Sequence, residues 1–255
     1  MMIYNKPIDL SVETYGGIKG VPYCFAVLPW GSAEPHNYHL PYLTDCYLSH
    51  DIAVNAVDKA WSKYGVKGMV LPTIPFGSQN PGQRELPFCI HARYETQKYI
   101  LKDVVESLDF QNIRILVIMN GHGGNNFKPI VRDLSIDYPE MLIVICEWFA
   151  IEPRQDYFEE CIDDHAGEME TSVMMYYHEK LVNIKTAGNG QAKRFNIDSL
   201  ENKVGWVPRN WAKTSIDTGV GNPKSASAQK GCKYANVITD KIAKLFYELV
   251  NKSLY

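Results

Sequence analysis

Three short strings in this chain gather side chains that hold metals or move protons. The first, Trp30-Gly-Ser-Ala-Glu34-Pro-His36-Asn-Tyr-His39-Leu-Pro-Tyr-Leu-Thr-Asp45, directly follows the apolar run Cys24–Pro29. In extended chain, residues i and i+2 face the same side, so Glu34 and His36 can converge on one point. Asp45 returns to that point at the start of the next helical segment. Carboxylate, imidazole and carboxylate without thiolate form a ligand set for Zn2+, Mn2+ or Fe2+, unlike a cysteine-rich structural zinc site. Each of the three alone reads more readily as a solvated acid or a core histidine; together, directly after a strand, they read as ligands. The second string, Asn120-Gly-His122-Gly-Gly-Asn125, also closes an apolar run. Its glycines permit a sharp turn and close approach to a ligand. A phosphate-cradling loop is the competing reading, but the lysine and Ser/Thr of such a loop are missing and the spacing is not G-x-G-x-x-G. A metal-binding histidine fits better. The third string, Asp163-Asp164-His165-Ala-Gly-Glu168-Met-Glu170-Thr171-Ser172, opens a helical segment. At i, i+3 spacing, His165 and Glu168 share a face if both are helical. Asp164 as an N-cap, with Glu168 and Glu170 at the positive helix end, is the competing account. Capping leaves the histidine unexplained.

Elements that could position these strings alternate along the chain. Cys24–Pro29, Met69–Leu71, Arg114–Met119 and Met141–Cys146 read as short buried strands. Between them, Leu48, Ile52, Ala56 and Ala60, then Ile100, Leu101, Val104, Val105 and Leu108, carry helical periodicity. Asn126–Asp137 and Gly167–Glu179 read as helices, and Tyr234 to Leu249 holds the clearest helical stripe. Residues 72–87, rich in Pro, Gly, Ser and Gln, form a long loop of the kind that tends to be functional. Such alternation predicts right-handed βαβ units and a mostly parallel sheet with helices on both faces, in a single α/β domain over residues 1–255. Ligands then belong at the carboxyl ends of the strands. A net charge of −3, evenly spread, argues against nucleic acid or an anionic membrane as partner. No apolar stretch approaches the ~20 residues of a bilayer span. The six cysteines are scattered without a C-x-x-C pair and no signal segment is visible, which predicts a reduced, cytoplasmic protein.

Taken together, the strings G-S-A-E-P-H-N-Y-H-L-P-Y-L-T-D, N-G-H-G-G-N and D-H-A-G-E-M-E-T-S resemble the creatininase (creatinine amidohydrolase) family, as does the later G-V-G-N-P-K-S-A-S-A-Q-K-G over residues 219–231. The motifs occur in family order across residues 28–231, and their combination is specific where each alone is weak. The resemblance implies a hydrolase with two divalent metal ions (Zn, Mn or Fe), often assembled as a homohexamer. On that footing Glu34 and His122 are ligands of one metal, His36 of the second, and Asp45 bridges them. Creatininases proper place a second-metal Glu two residues after the His of N-G-H, where this chain has Gly124. Glu168 is the expected replacement, with Glu147 behind it. His165 matches a family histidine beside the reacting bond, and Asp164 stands where creatininases proper have Glu. Gly123, Gly124, Trp148 and Tyr157 are the expected substrate contacts. His39 is expected to orient the ligands or to serve as a structural hydrogen-bonder rather than bind metal, and His50, His91 and His178 to be ordinary surface or loop residues.

True creatininases wall their substrate with tryptophans on the loop before the third motif. Residues 150–163 hold Tyr157 and Phe158 but no tryptophan, so creatinine itself is disfavoured. The expected activity is hydrolysis of a C–N bond in a small cyclic amide or formamide by metal-activated water. A ring-opening C–C hydrolase of an inositol-derived diketone is an alternative, and a non-catalytic metal scaffold another.

Overall fold

The computed structural model describes residues 5–255. Four strands, β1 (Phe25–Trp30), β2 (Gly68–Val70), β3 (Ile115–Asn120) and β4 (Leu142–Glu147), form one parallel sheet in the order β2-β1-β3-β4. The helices are α1 (Tyr15–Ile18), α2 (Thr44–Tyr64), α3 (Tyr94–Phe110), α4 (Lys128–Asp137), α5 (Glu168–His178), α6 (Asp198–Glu201), α7 (Trp211–Thr214) and α8 (Ala228–Asn251). The mixed α/β single domain expected from the alternation is therefore present, with each strand within a residue or so of its predicted bounds.

Period-2 alternation divides the sheet between two cores. Phe25, Val27, Val117 and Met119 face a layer built by α2, α5 and α8, including Leu48, Ile52, Val173, Tyr234 and Ile238. Ala26, Leu28, Trp30, Leu116 and Ile118 face the other way, onto α3 and α4 through Leu101, Val105, Ile130 and Leu134. Because both faces are covered, the strands read as continuous apolar runs. The chain runs from β1 to β2 on one side, then returns past β1 to β3 and β4 on the other. The strand order thus reverses between β1 and β3, and a crevice opens at their carboxyl ends, where ligands bind in folds of this kind.

Two glycines fix what fills that crevice. A Cβ on Gly31, just past β1, would meet the backbone of Asp45 and Cys46, and one on Gly121, just past β3, would meet the Asp45 carbonyl. The first turn of α2 consequently rests directly on the two strand ends, and Asp45 is delivered to the switch point by rigid elements.

Candidate metal centre

Glu34, His36, Asp45, His122, His165 and Glu170 converge on this point, and all are buried. Their ligand atoms fall into groups in which every pair lies within 4.8 Å: Glu34, Asp45 and His122; His36, Asp45 and Glu170; and Glu34, His36 and His165. Asp45 belongs to the first two. Its Oδ1 is 2.9 Å from His36 Nε2 and its Oδ2 3.2 Å from His122 Nδ1. Glu34 Oε1 is 2.7 Å from His122 Nδ1.

Each imidazole is oriented by a backbone carbonyl behind it. His122 Nε2 donates to Ser78 O at 2.7 Å, His36 Nδ1 to Glu34 O at 3.0 Å, and His165 Nε2 to Pro35 O at 2.9 Å. These bonds leave His122 Nδ1, His36 Nε2 and His165 Nδ1 to face the centre. In the neutral rings, those nitrogens present lone pairs to carboxylate oxygens, an arrangement that needs a cation between them. Glu34 Oε1 and Asp45 Oδ2 are buried without a hydrogen-bond donor, which points the same way. The residues present fit divalent metal.

Protons take the cation's part when the metal is absent. Burial opposes charge on His36, but the Asp45 carboxylate overrides it and lifts the imidazole to about 10. His122 is raised likewise, by Glu34 and Asp45 against burial. Burial would raise Asp45 and Glu34; the histidine charges instead hold both below the usual carboxylate range. Glu170 is pushed up to about 8, chiefly by burial, with Asp45 adding to it. His165 is lowered, first by burial and then by the charge on His36, so it sits neutral with a free Nδ1 4.0 Å from Glu34 Oε1.

One expected ligand is elsewhere. Glu168 is fully buried, but its carboxylate accepts the backbone N–H groups of Glu159 and Glu160, each at 2.8 Å, and pairs with Lys230 at 2.5 Å. The spacing argument fails because His165 is not helical: α5 begins only at Glu168, after Gly167 as N-cap and Ala166 at φ 52°. Residues 165 and 168 therefore share no helix face, and Glu170 takes the position beside His36 and Asp45. That glutamate stood in the same string; one turn of non-helical chain before the helix was the missing signal. Glu147 joins none of the ligand groups.

Gly124 has a local cause. A side chain there would overlap Ser78 O and His122 Nε2, the two atoms of the bond that orients the imidazole. The loop of residues 72–87, marked in the sequence only by its composition, also supplies Gln83, whose buried amide donates to Glu34 Oε2. His39 joins none of the ligand groups; its Nε2 bonds Thr171 Oγ1 at 2.8 Å. His50 and His178 carry more structure than ordinary surface residues, pairing with Asp9 at 3.0 Å and Asp51 at 2.5 Å. His91 Nδ1 accepts from Gln79 N.

Two cavities meet at the centre, of about 390 and 640 Å3. His122, Gly123, Asp164 and His165 line both, and Gly124 lines the larger. Asp164 is half-exposed and paired with Arg209 at 2.6 Å. Trp148 and Tyr157 do not reach either cavity. Trp148 is fully buried in the α2/α5/α8 core, and Tyr157 packs edge-on against Tyr234. Aromatic walls come instead from Trp206 and Trp211, with the Trp211 ring 5.3 Å from His165 and the Arg209 guanidinium 4.9 Å above it. The segment around Val220 is tied to His165 by hydrogen bonds in both directions, which gives the glycine-rich motif of residues 219–231 its place.

An open parallel sheet whose switch point carries carboxylate–histidine groups around a shared aspartate defines a metal-dependent hydrolase. Comparison with known proteins makes the class specific. The family described as creatininase, creatinine amidohydrolase, matches residues 22–246, and the chain belongs to that family. A crystal structure of a candidate creatinine amidohydrolase from Bacteroides fragilis NCTC 9343 superposes with TM-score 0.97 at 56% identity, covering 99% of this chain and 100% of that one. The creatinine amidohydrolase of Pseudomonas putida is 23% identical over 255 residues, spanning 92% of this chain and 93% of its own. Creatininase structures of Mn and Zn–Zn type share the fold with TM-scores of 0.78 and 0.76, at 20% and 21% identity; each covers 96% of this chain, and 100% and 99% of their own. A metal-dependent amidohydrolase is what the family and the site together support.

Proposed function

We propose that this amidohydrolase works with two divalent ions, Zn, Mn or Fe, one held by Glu34, Asp45 and His122 and the other by His36, Asp45 and Glu170. The observation that carries this reading is Asp45, whose two oxygens face two different histidine lone pairs within separate ligand groups. Divalent cations there would supply Lewis acidity and a water acidic enough, with pKa near ~7, to attack at neutral pH.

The protein's own groups account for the rest of the chemistry. Water adds to the amide carbonyl carbon, the C–N bond breaks, and the leaving nitrogen must gain a proton. His165 is placed to relay it: neutral, buried and fixed by Pro35 O, its Nδ1 lone pair faces the centre and can take the proton the attacking water gives up, then pass that proton to the leaving nitrogen. Asp164, the residue before His165, is paired with Arg209, and the Trp211 ring packs edge-on against the imidazole. Gly123 and Gly124 line the substrate space without filling it.

The substrate we propose is a small cyclic amide or formamide rather than creatinine. None of the residues 150–163 is a tryptophan, and the aromatic wall at Trp206 and Trp211 lies beyond the third motif. A homohexamer is part of the proposal, supported by the exposed Ile197, Val204, Trp206 and Ile216; light scattering checks it. A cytoplasmic location agrees with six free cysteines, and no helix among the described residues is long and apolar enough to cross a membrane.

The decisive experiment is metal analysis of the purified protein together with turnover of a panel of cyclic amides and formamides. Two equivalents per chain and hydrolysis of at least one amide are expected. One equivalent or none, with no turnover after reloading, would leave a metal-binding scaffold.

A further inference from the structure

Charged side chains around the 390 Å3 cavity are almost all committed. Asp45, His122 and Glu170 belong to the metal centre, Asp164 to Arg209, and Glu152 to Lys241. Arg154 is the exception. It is the one Lys or Arg lining this cavity, it is half-buried, and among the described residues its guanidinium has no hydrogen-bond or ion-pair partner. Asp163 feels its charge but forms no ion pair with it; that carboxylate is buried, spends Oδ2 on the Met169 N–H at 2.8 Å, leaves Oδ1 without a partner and is pushed up to about 6 by burial, so among the described residues Arg154 is the free cation of the cavity.

Arg154 is also well founded. It opens a single 3-10 turn after Pro153, and its carbonyl accepts the N–H groups of Tyr157 and Phe158, both at 2.9 Å. Phe158 is buried against Tyr234, so the turn is pinned to the core below. A guanidinium presented from a pinned turn into a concave, partly desolvated space is a fork for a planar anion, and its pairing with carboxylate or phosphate is strong and directional.

We propose that Arg154 anchors an anionic oxygen group, a carboxylate or a phosphate, carried by the substrate at a distance from the bond that is cleaved. This rests on the hydrolase reading above and narrows its substrate class to amides with an acidic substituent. Creatinine, which bears none, would leave the guanidinium unpaired.

Calorimetry on the manganese-loaded enzyme tests the assignment with one formamide carrying three different tails: N-formylglycine, formamidomethylphosphonate and N-methylformamide. At least one anionic probe should bind about 10- to 100-fold more tightly than the neutral one, the range of a charge-assisted pair. Whichever of the two binds better identifies carboxylate or phosphate as the natural group. Arg154→Gln should abolish the advantage while metal content and affinity for N-methylformamide stay unchanged. Equal affinities for all three probes, or a preference that survives in Arg154→Gln because the anion sits on the metals, would overturn the proposal. Failure of the hydrolase reading looks different: no amide is turned over, whatever the binding preference.

Discussion

Glu170 and Glu168 lie two residues apart in one string, and substituting each by glutamine should give opposite phenotypes. Glu170 is 8% exposed; its Oε2 accepts the Ala166 N–H at 2.5 Å, and the carboxylate lies in the group formed with His36 and Asp45. In the metal-free protein at pH 7 that carboxyl, raised to about 8, is already mostly protonated. A neutral amide therefore replaces it at little cost to folding. With metal bound as proposed, the same change would remove one of three ligands and one buried charge. Losing one partner of a buried charge pair costs about 3–5 kcal/mol. At ~1.4 kcal/mol per decade, affinity at that position should fall by roughly 100- to several-thousand-fold. Glu170→Gln should retain one metal equivalent and a near-native melting temperature, with turnover lost. Glu168→Gln removes the Lys230 ion pair and one acceptor for the 159–160 backbone. That should cost about 1–3 kcal/mol of stability, lowering the melting temperature by about 2–4 °C per kcal/mol, while both metals remain. Metal analysis after dialysis and thermal melts of the metal-free proteins separate the two effects. If Glu168→Gln loses a metal and Glu170→Gln keeps both, the assignment of the second position is wrong.

Gly124→Glu restores the residue type of creatininases proper, but its side chain collides with Ser78 O and His122 Nε2; metal held by His122 should be weakened and activity fall, and undiminished activity would show that the loop yields freely. Gln83→Ala removes the buried amide from Glu34 Oε2 and should weaken metal binding at the Glu34 position by about tenfold, the value of a charged hydrogen bond, as read by competitive chelation. The Asp9–His50 pair gives a pH signature: Asp9 is held below 3.8 by His50 against burial, so its contribution is present above that value and lost as pH falls through the folded pKa. His50 is raised above 6.5 by Asp9 against burial, so its contribution is complete below 6.5 and lost as pH rises through the folded pKa. The melting-temperature gap between the native protein and Asp9→Asn should be widest from about pH 4 to 6.5 and close as pH rises through the raised His50 pKa; a gap that is flat with pH would contradict the pairing. Trp148→Ala, in the core rather than the site, should cost about 3–5 kcal/mol in stability and leave KM unchanged in whatever enzyme remains folded.

The strands and long helices were legible because both sheet faces are covered: each β-run is unbroken and each helix keeps its stripe. The convergence of Glu34, His36, Asp45 and His122 was legible because they follow directly on strand ends or a helix start, where direction is set by regular geometry. Legibility ended where backbone leaves regular geometry. Ala166 in the left-handed region breaks the spacing from His165 to Glu168, and no propensity in D-H-A-G-E predicts that turn. Trp148 is an expected substrate contact that the 3-10 turn Trp148–Ala150, directly after β4, places in the core. Ser78, Gln83, Arg154 and Trp211 reach the site from connections whose paths depend on packing against distant residues, and local sequence carries no record of it.

The contact that Gly31 and Gly121 make possible has a consequence for how such enzymes diversify. Asp45 is seated on the ends of β1 and β3 with no intervening side chain, so the proposed ion-holding apparatus is built into the frame of the sheet. Residues that line the cavities away from that point, Arg154, Trp206 and Arg209 among them, ride on the connections after β4 and α5. Frame and fittings are thus mechanically separate. Transplanting residues 150–163 or 204–211 from a relative should retune what is cleaved while the ions stay where they are, so one scaffold can serve unrelated metabolites without rebuilding its reactive centre.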